Sequence, residues 1–185
     1  MTVAREDDEY TALRATIRER GTARVCVFAG GIVAWTAATI ATVALVSIPV
    51  ATLLPLLLLA SVFEAVFALH VGVERIGRYI QVFYEADPLA LSGPPVLPNW
   101  EHAAMAFGRP AGAASADALF VVPFLLGTLV NLMPALALHP TASELTFVGG
   151  AHALFVVRLI VARLVAGKQR AIDLKRFEEL KSERH

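Results

Sequence analysis

The stretch Glu64–Glu85, EAVFALHVGVERIGRYIQVFYE, decides how the rest of the chain is read. It opens as an apolar helix and then carries His70, Glu74, Arg78, Gln81 and Glu85 at i, i+4, i+8, i+11 and i+15. That spacing lines them along one face of a continuous helix. A segment apolar enough for lipid therefore runs without a break into one polar enough for water, until Asp87-Pro88 stops it.

Composition agrees with a membrane setting. The chain has 185 residues, 57% hydrophobic and 17% charged, with a mean hydropathy of +0.64; a soluble domain carries about 25% charged residues. The apolar residues are gathered into long runs separated by short charged ones. The single cysteine, Cys26, excludes an intrachain disulfide and an all-cysteine metal site, and reads as a small buried apolar residue. The first apolar run, 25–46, is about twice the length of a signal-peptide core and follows the acidic Glu6–Glu9, so it is expected to remain as a helix.

Before that run, residues 1–24 form a charged cytosolic lead. Tyr10, Leu13 and Ile17 recur at helical spacing, and Gly21 is expected to stop the helix. The remainder, 25–185, is expected to be a single four-helix transmembrane domain with spans at about 25–46, 50–70, 119–138 and 145–166. Gly30, Ala34, Ala37 and Ala41 make a small-residue stripe on the first span, suited to close helix approach. Pro55 sits in the first turns of the second, while Pro123 and Pro134 predict a bent or loosened third.

Ser47–Pro49 and His139–Glu144 make the tight outer turns. The loop 87–114 is the one long linker, in which Asn99 caps a short helix carrying Trp100 as an interface anchor. A C-terminal cytosolic helix, 168–184, is expected from opposite charges at helical spacing, Asp173 with Arg176 and Lys175 with Glu179. The fold class expected is thus an all-α membrane protein: two helical hairpins, cytosolic helical extensions and an interfacial helix in the middle loop.

Charge sets the orientation. Of the sixteen Lys and Arg, five lie in 1–24, three are Arg75, Arg78 and Arg109, seven lie from Arg163 onward, and Arg158 falls inside the fourth span. The two outer turns carry none. The positive-inside rule then places both termini and the middle loop in the cytoplasm, and alanine-, valine- and arginine-rich usage points to a bacterial plasma (inner) membrane.

Polar residues inside the spans were placed by depth. Glu64 lies about fourteen residues, roughly 21 Å, from the outer end of its span, and Arg158 about thirteen residues from the outer end of the fourth. Opposite charges at one depth are expected to pair, since an isolated ion costs about 2.5 kcal/mol or more. The simplest role of such a pair is to fix helix register; a proton- or ion-responsive carboxylate is the functional alternative. Asn131 and His152 match in the same way at about seven residues from the outer surface, as interhelical glue and a packing histidine.

At the inner surface, His70 and Glu74 offer metal-ligand types, but the Glu-x-x-His pattern of carboxylate-bridged bundles is missing, and Glu74 with Arg78 is a plain i,i+4 ion pair. No phosphate loop, nucleophile elbow, HExxH or paired zinc knuckle occurs, so no catalytic residue, metal site or cofactor is assigned and an enzyme is not expected. Basic residues are interleaved with acids, which argues against nucleic acid. The partners expected are the lipid bilayer and other membrane-protein subunits, or further copies of the chain. The reading reached is a non-catalytic integral membrane protein acting by association, as an accessory or scaffolding subunit or a small homo-oligomer. The alternative is a small ion- or proton-coupled transporter or channel using Glu64 within the membrane.

Overall fold

A computed structural model describes residues 2–84 and 116–183, with side chains placed for 8–84 and 121–183. The expected loop 87–114, with Trp100, and Glu85 lie outside the described residues. Four helices account for nearly all of the rest: α1 (Thr2–Leu45), α2 (Leu53–Phe83), α3 (Ala116–Ala137) and α4 (Ala142–Ser182). A 3-10 turn, Pro49–Thr52, leads into α2, and no strand occurs among the described residues. Three stretches, Asp8–Leu45, Pro49–Phe83 and Ala142–Ser182, are long and apolar enough to cross a membrane; a shorter apolar segment, Val121–Ala137, lies in α3.

The helices are built as a medium without water requires. Hydroxyls of Thr36, Thr39, Ser61, Thr128 and Thr146 each donate to the carbonyl one turn back, at 2.7–2.9 Å. Each therefore has a partner even where lipid supplies none. Large apolar side chains point outward, with Leu45 82% and Leu154 72% exposed, while Asn131 and Thr128 are fully buried. That is the reverse of a water-soluble fold.

One expectation about a helix end is corrected. Gly21 does not stop the lead: α1 runs through it as one helix of 44 residues. An interior glycine costs about 1 kcal/mol, but no proline follows it, and Thr22 Oγ1 returns to Arg18 O at 3.1 Å, so nothing competes with helix propagation. Between α3 and α4, His139 lies in the left-handed region (φ 51°) before Pro140. Thr141 then caps α4: its N–H and hydroxyl both donate to Glu144 Oε2, at 2.9 and 2.7 Å, and its Oγ1 accepts from Glu144 N at 3.4 Å. This is a capping box, Thr-x-x-Glu, and it holds the Glu144 carboxyl below its usual value through the Thr141 hydroxyl first and the Thr141 N–H second.

Contacts divide the chain into two compact units. One comprises Ala23–Ala68 and Ala116–Leu164. At its centre each helix contributes a phenyl ring: Phe63 of α2 meets Phe124 of α3 edge-on at 5.2 Å and Phe155 of α4 at 6.0 Å, and Phe28 of α1 meets Phe124 at 5.8 Å. On α4 the buried positions Val148, His152, Phe155, Leu159 and Ala162 step by four and three, the heptad spacing of a helix seam. A side chain on Gly31 would strike both methyls of Val62, and one on Gly127 would meet Leu59 at 3.1 Å, so glycine permits the close approaches there.

The expected small-residue stripe is on the other side. Gly30, Ala34, Ala37 and Ala41 are all exposed, because Trp35 turns α1 so that Phe28, Gly31 and Trp35 face in. Cys26 is likewise exposed; a thiol is apolar enough to face lipid.

The second unit comprises the described parts of Met1–Thr22, Leu69–Ser115 and Val165–His185. Its core is aromatic. Tyr79 packs on Phe83 (4.6 Å), Phe177 (5.6 Å) and Tyr84 (6.1 Å), and Tyr10 packs on Tyr84 (5.6 Å). The Tyr79 hydroxyl donates to Glu9 at 3.1 Å, so the N-terminal lead rests on protein neighbours.

Gly31→Ala is expected to destabilise the fold by about 1–3 kcal/mol through overpacking against Val62. Gly30→Ala, which meets nothing within 4 Å, should be neutral or stabilising. Thermal unfolding in detergent followed by circular dichroism distinguishes them; equal midpoints would refute the close approach.

Candidate functional site

Three polar groupings stand out. The first lies wholly inside the Ala23–Ala68/Ala116–Leu164 unit. The Trp35 indole N–H donates to Asn131 Oδ1 at 3.3 Å, which fixes which end of the amide is oxygen. Asn131 Nδ2 then donates to the Thr52 carbonyl at 2.8 Å and to His152 Nε2 at 3.1 Å. Because an amide nitrogen only donates, Nε2 of His152 accepts, and Nδ1–H donates to Val148 O at 2.8 Å. Asn131 is 0% and His152 3% exposed. α1, the 3-10 turn, α3 and α4 are thus tied together by one amide whose hydrogens and oxygen are all engaged. The depth count brought Asn131 and His152 together; Trp35 and Thr52 were not foreseen.

The second grouping is Glu64 with Arg158, whose Nη2 donates to Glu64 Oε2 at 2.7 Å. The guanidinium also lies over Phe67 (5.4 Å) and Phe63 (5.9 Å). The pair is formed, but not in the interior: the Glu64 side chain is 47% and the Arg158 side chain 40% exposed. The reason is azimuthal. The buried positions of α2 nearest Glu64 are Leu59, Val62, Phe63 and Val66, and Glu64 stands about 100° around the helix from Phe63.

The third grouping concerns the stripe on α2, which is unbroken through His70, Glu74, Arg78 and Gln81. Arg78 is only 4% exposed. Its Nη1 donates to Asp173 Oδ2 at 2.8 Å and its Nη2 to Glu74 at 3.3 Å. Asp173 also takes Arg75 at 3.5 Å and the Gln169 amide at 2.9 Å. The local pairing of Asp173 with Arg176 is therefore corrected: Asp173 faces inward and Arg176 outward, whereas Lys175 and Glu179 do approach, at 3.9 Å on the surface. His70 is half-buried. Burial raises the Asp173 carboxyl, but the hydrogen bonds from Gln169 and Arg78 and the charges of Arg75 and Arg78 outweigh it and hold the group below its ordinary value of 3.8. Among the described residues no three His, Cys, Asp or Glu side chains converge as a metal site would need.

Asn131→Leu leaves the Trp35 N–H, the Thr52 carbonyl and His152 Nε2 without partners, and should cost about 1–3 kcal/mol in detergent unfolding. Removing Arg78 or Asp173 alone should cost about 3–5 kcal/mol, with Arg78→Leu/Asp173→Leu recovering much of it. Because the folded Asp173 carboxyl is depressed, its contribution is complete above about pH 4 and fades as pH falls through the folded value. The stability gap between the parent and Asp173→Asn should therefore be constant near neutrality and close only in acid. Compared with known proteins, the chain matches no family, no curated protein and no solved structure.

Proposed function

We propose that the protein is a non-catalytic integral membrane protein that works by association, as an accessory or scaffolding subunit of a membrane complex or as a small homo-oligomer. In this reading all four helices span, as two hairpins. Both termini and the middle loop, with its interfacial helix, are cytoplasmic, and the membrane is the bacterial plasma membrane. The observation that carries the reading is how the polar groups of the core are used. The Asn131 amide is saturated by groups from three other elements, and a phenyl ring from every helix fills the centre. These are devices for holding helices together. Outside, α1 presents the exposed small-residue stripe Gly30, Ala34, Ala37 and Ala41, which lets another helix come close.

One observation favours the transport reading: the Glu64 carboxylate is half-exposed within the apolar stretch Pro49–Phe83. Its exposure sets it apart from His152 and Asn131, which are buried. Loss of a proton- or ion-dependent flux in proteoliposomes with Glu64→Gln, at unchanged stability, would give that reading the lead.

Two experiments test the proposal. With Cys26 replaced, single cysteines at Ser47 and His139 should label from outside and those at Arg75 and Lys168 only from the cytoplasm; Arg75 and Lys168 on opposite faces would end the topology. Gentle detergent extraction followed by mass measurement and identification of co-purifying chains should give an assembly larger than the 19.8 kDa chain. A lone protomer from native membranes, with nothing bound, would overturn association.

A further inference from the structure

Among the described residues the Glu64–Arg158 pair is incompletely served. One contact joins it, Nη2 to Oε2 at 2.7 Å, and among the described residues no hydrogen bond reaches Glu64 Oε1 or Arg158 Nη1 or Nε. Phe63 and Phe67 cover part of the guanidinium, but about half of each side chain faces outward. Lipid tails offer no donors or acceptors, so these open sites carry a standing cost.

The neighbouring surface would let something approach. Ser61, Ala65 and Ala68 are all exposed on the same side of α2 as Glu64, and none is large enough to hold a second helix away. The Ser61 hydroxyl is engaged by Leu57 O at 2.9 Å. We propose that this face receives a second copy of the same chain, with each Glu64 carboxylate turned toward the other copy's Arg158. The proposal rests on the association reading and names the partner and the face.

The choice of a second copy follows from charge and symmetry. By residue count from the ends of their spans the two ions lie at nearly one depth, Glu64 on α2 and Arg158 on α4. A two-fold axis along the membrane normal keeps depth and exchanges left for right. It therefore sets the anion of one copy against the cation of the other, twice, as antiparallel dipoles. Any other protein would have to bring its own opposed pair at this level; a second copy brings it by construction. Each guanidinium would then have donors left for the second carboxylate, and each carboxylate an oxygen left for the second guanidinium.

The test uses the full chain in native membranes. With Cys26→Ser as background, Ser61→Cys and Ala65→Cys should form dimers on mild oxidation. The charge reversal Glu64→Arg/Arg158→Glu keeps the pair within each chain, so reversed copies should capture one another as parent copies do. A reversed chain and a parent chain would set like charge against like charge, and co-expressed with different tags they should capture each other at least tenfold less.

Indiscriminate mixed capture, or no oxidation product at positions 61 and 65, overturns the proposal. So does association that depends on anionic lipid while remaining blind to the reversal, which would make Arg158 a headgroup contact. If the reversed chain does not fold, the cysteine pair at 61 and 65 decides alone. An assembly larger than one chain that lacks both signatures refutes this face and leaves association standing; a lone protomer refutes both.

Discussion

The structure depends on one constraint: inside lipid a polar group has no partner except another part of the protein. The hydroxyls of α1, α2, α3 and α4 meet it locally, by bonding the carbonyl one turn back. Asn131 cannot, because its amide needs three partners spread over a wide angle, and it meets the constraint by drawing in Trp35, Thr52 and His152. That requirement orients α1, since the indole must face inward to reach the amide. The inward position of Gly31, the outward position of Gly30 and the outward stripe of alanines follow from it. A single polar side chain thus orients the apolar half of α1, whose own hydroxyls are satisfied within the helix.

How much of this was legible in the residues divides along a geometric line. Counting residues from a span's end gives depth, and depth brought Glu64 to Arg158 and Asn131 to His152. It gives no angle about the helix axis, which is why it does not show that the pair lies on the outside. The angle was present in the pattern as well: Leu59, Val62, Phe63 and Val66 mark the inward face of α2, and Glu64 is not on it. Asp173 shows the same omission. Read locally it pairs with Arg176. In the structure it is buried, where a carboxylate needs a counter-charge, and Arg78 is the one that meets it.

Other features were not legible for physical reasons. Tryptophan in an apolar run serves core packing and lipid boundaries equally well, and nothing local says that its N–H will seek an amide 96 residues away. Gly21 carries the composition of a stop, but a stop needs the left-handed backbone that follows a helix end, and the segment beyond continues to favour helix. The Thr141–Glu144 capping box, by contrast, is a short-range motif that could have been read directly as the start of α4.

The two intramembrane polar systems solve the same problem in opposite ways. Asn131, Trp35 and His152 form a system without formal charge, since Nε2 of His152 accepts, and it is fully buried; no Born cost arises and every donor in it is placed. Glu64 and Arg158 are ions, and full burial would require several more hydrogen bonds than the phenyl-filled core offers. Placing them at the perimeter avoids that penalty within the chain but leaves donors and acceptors facing a medium that cannot use them. A surface that is poor against lipid and complementary to its own image is stabilised by self-association, even with modest apolar area, because each copy supplies the bonds the other lacks. Under the proposed self-association, the perimeter position would make the ion pair a means of recognition between chains, where a buried position would have confined it to fixing register within one.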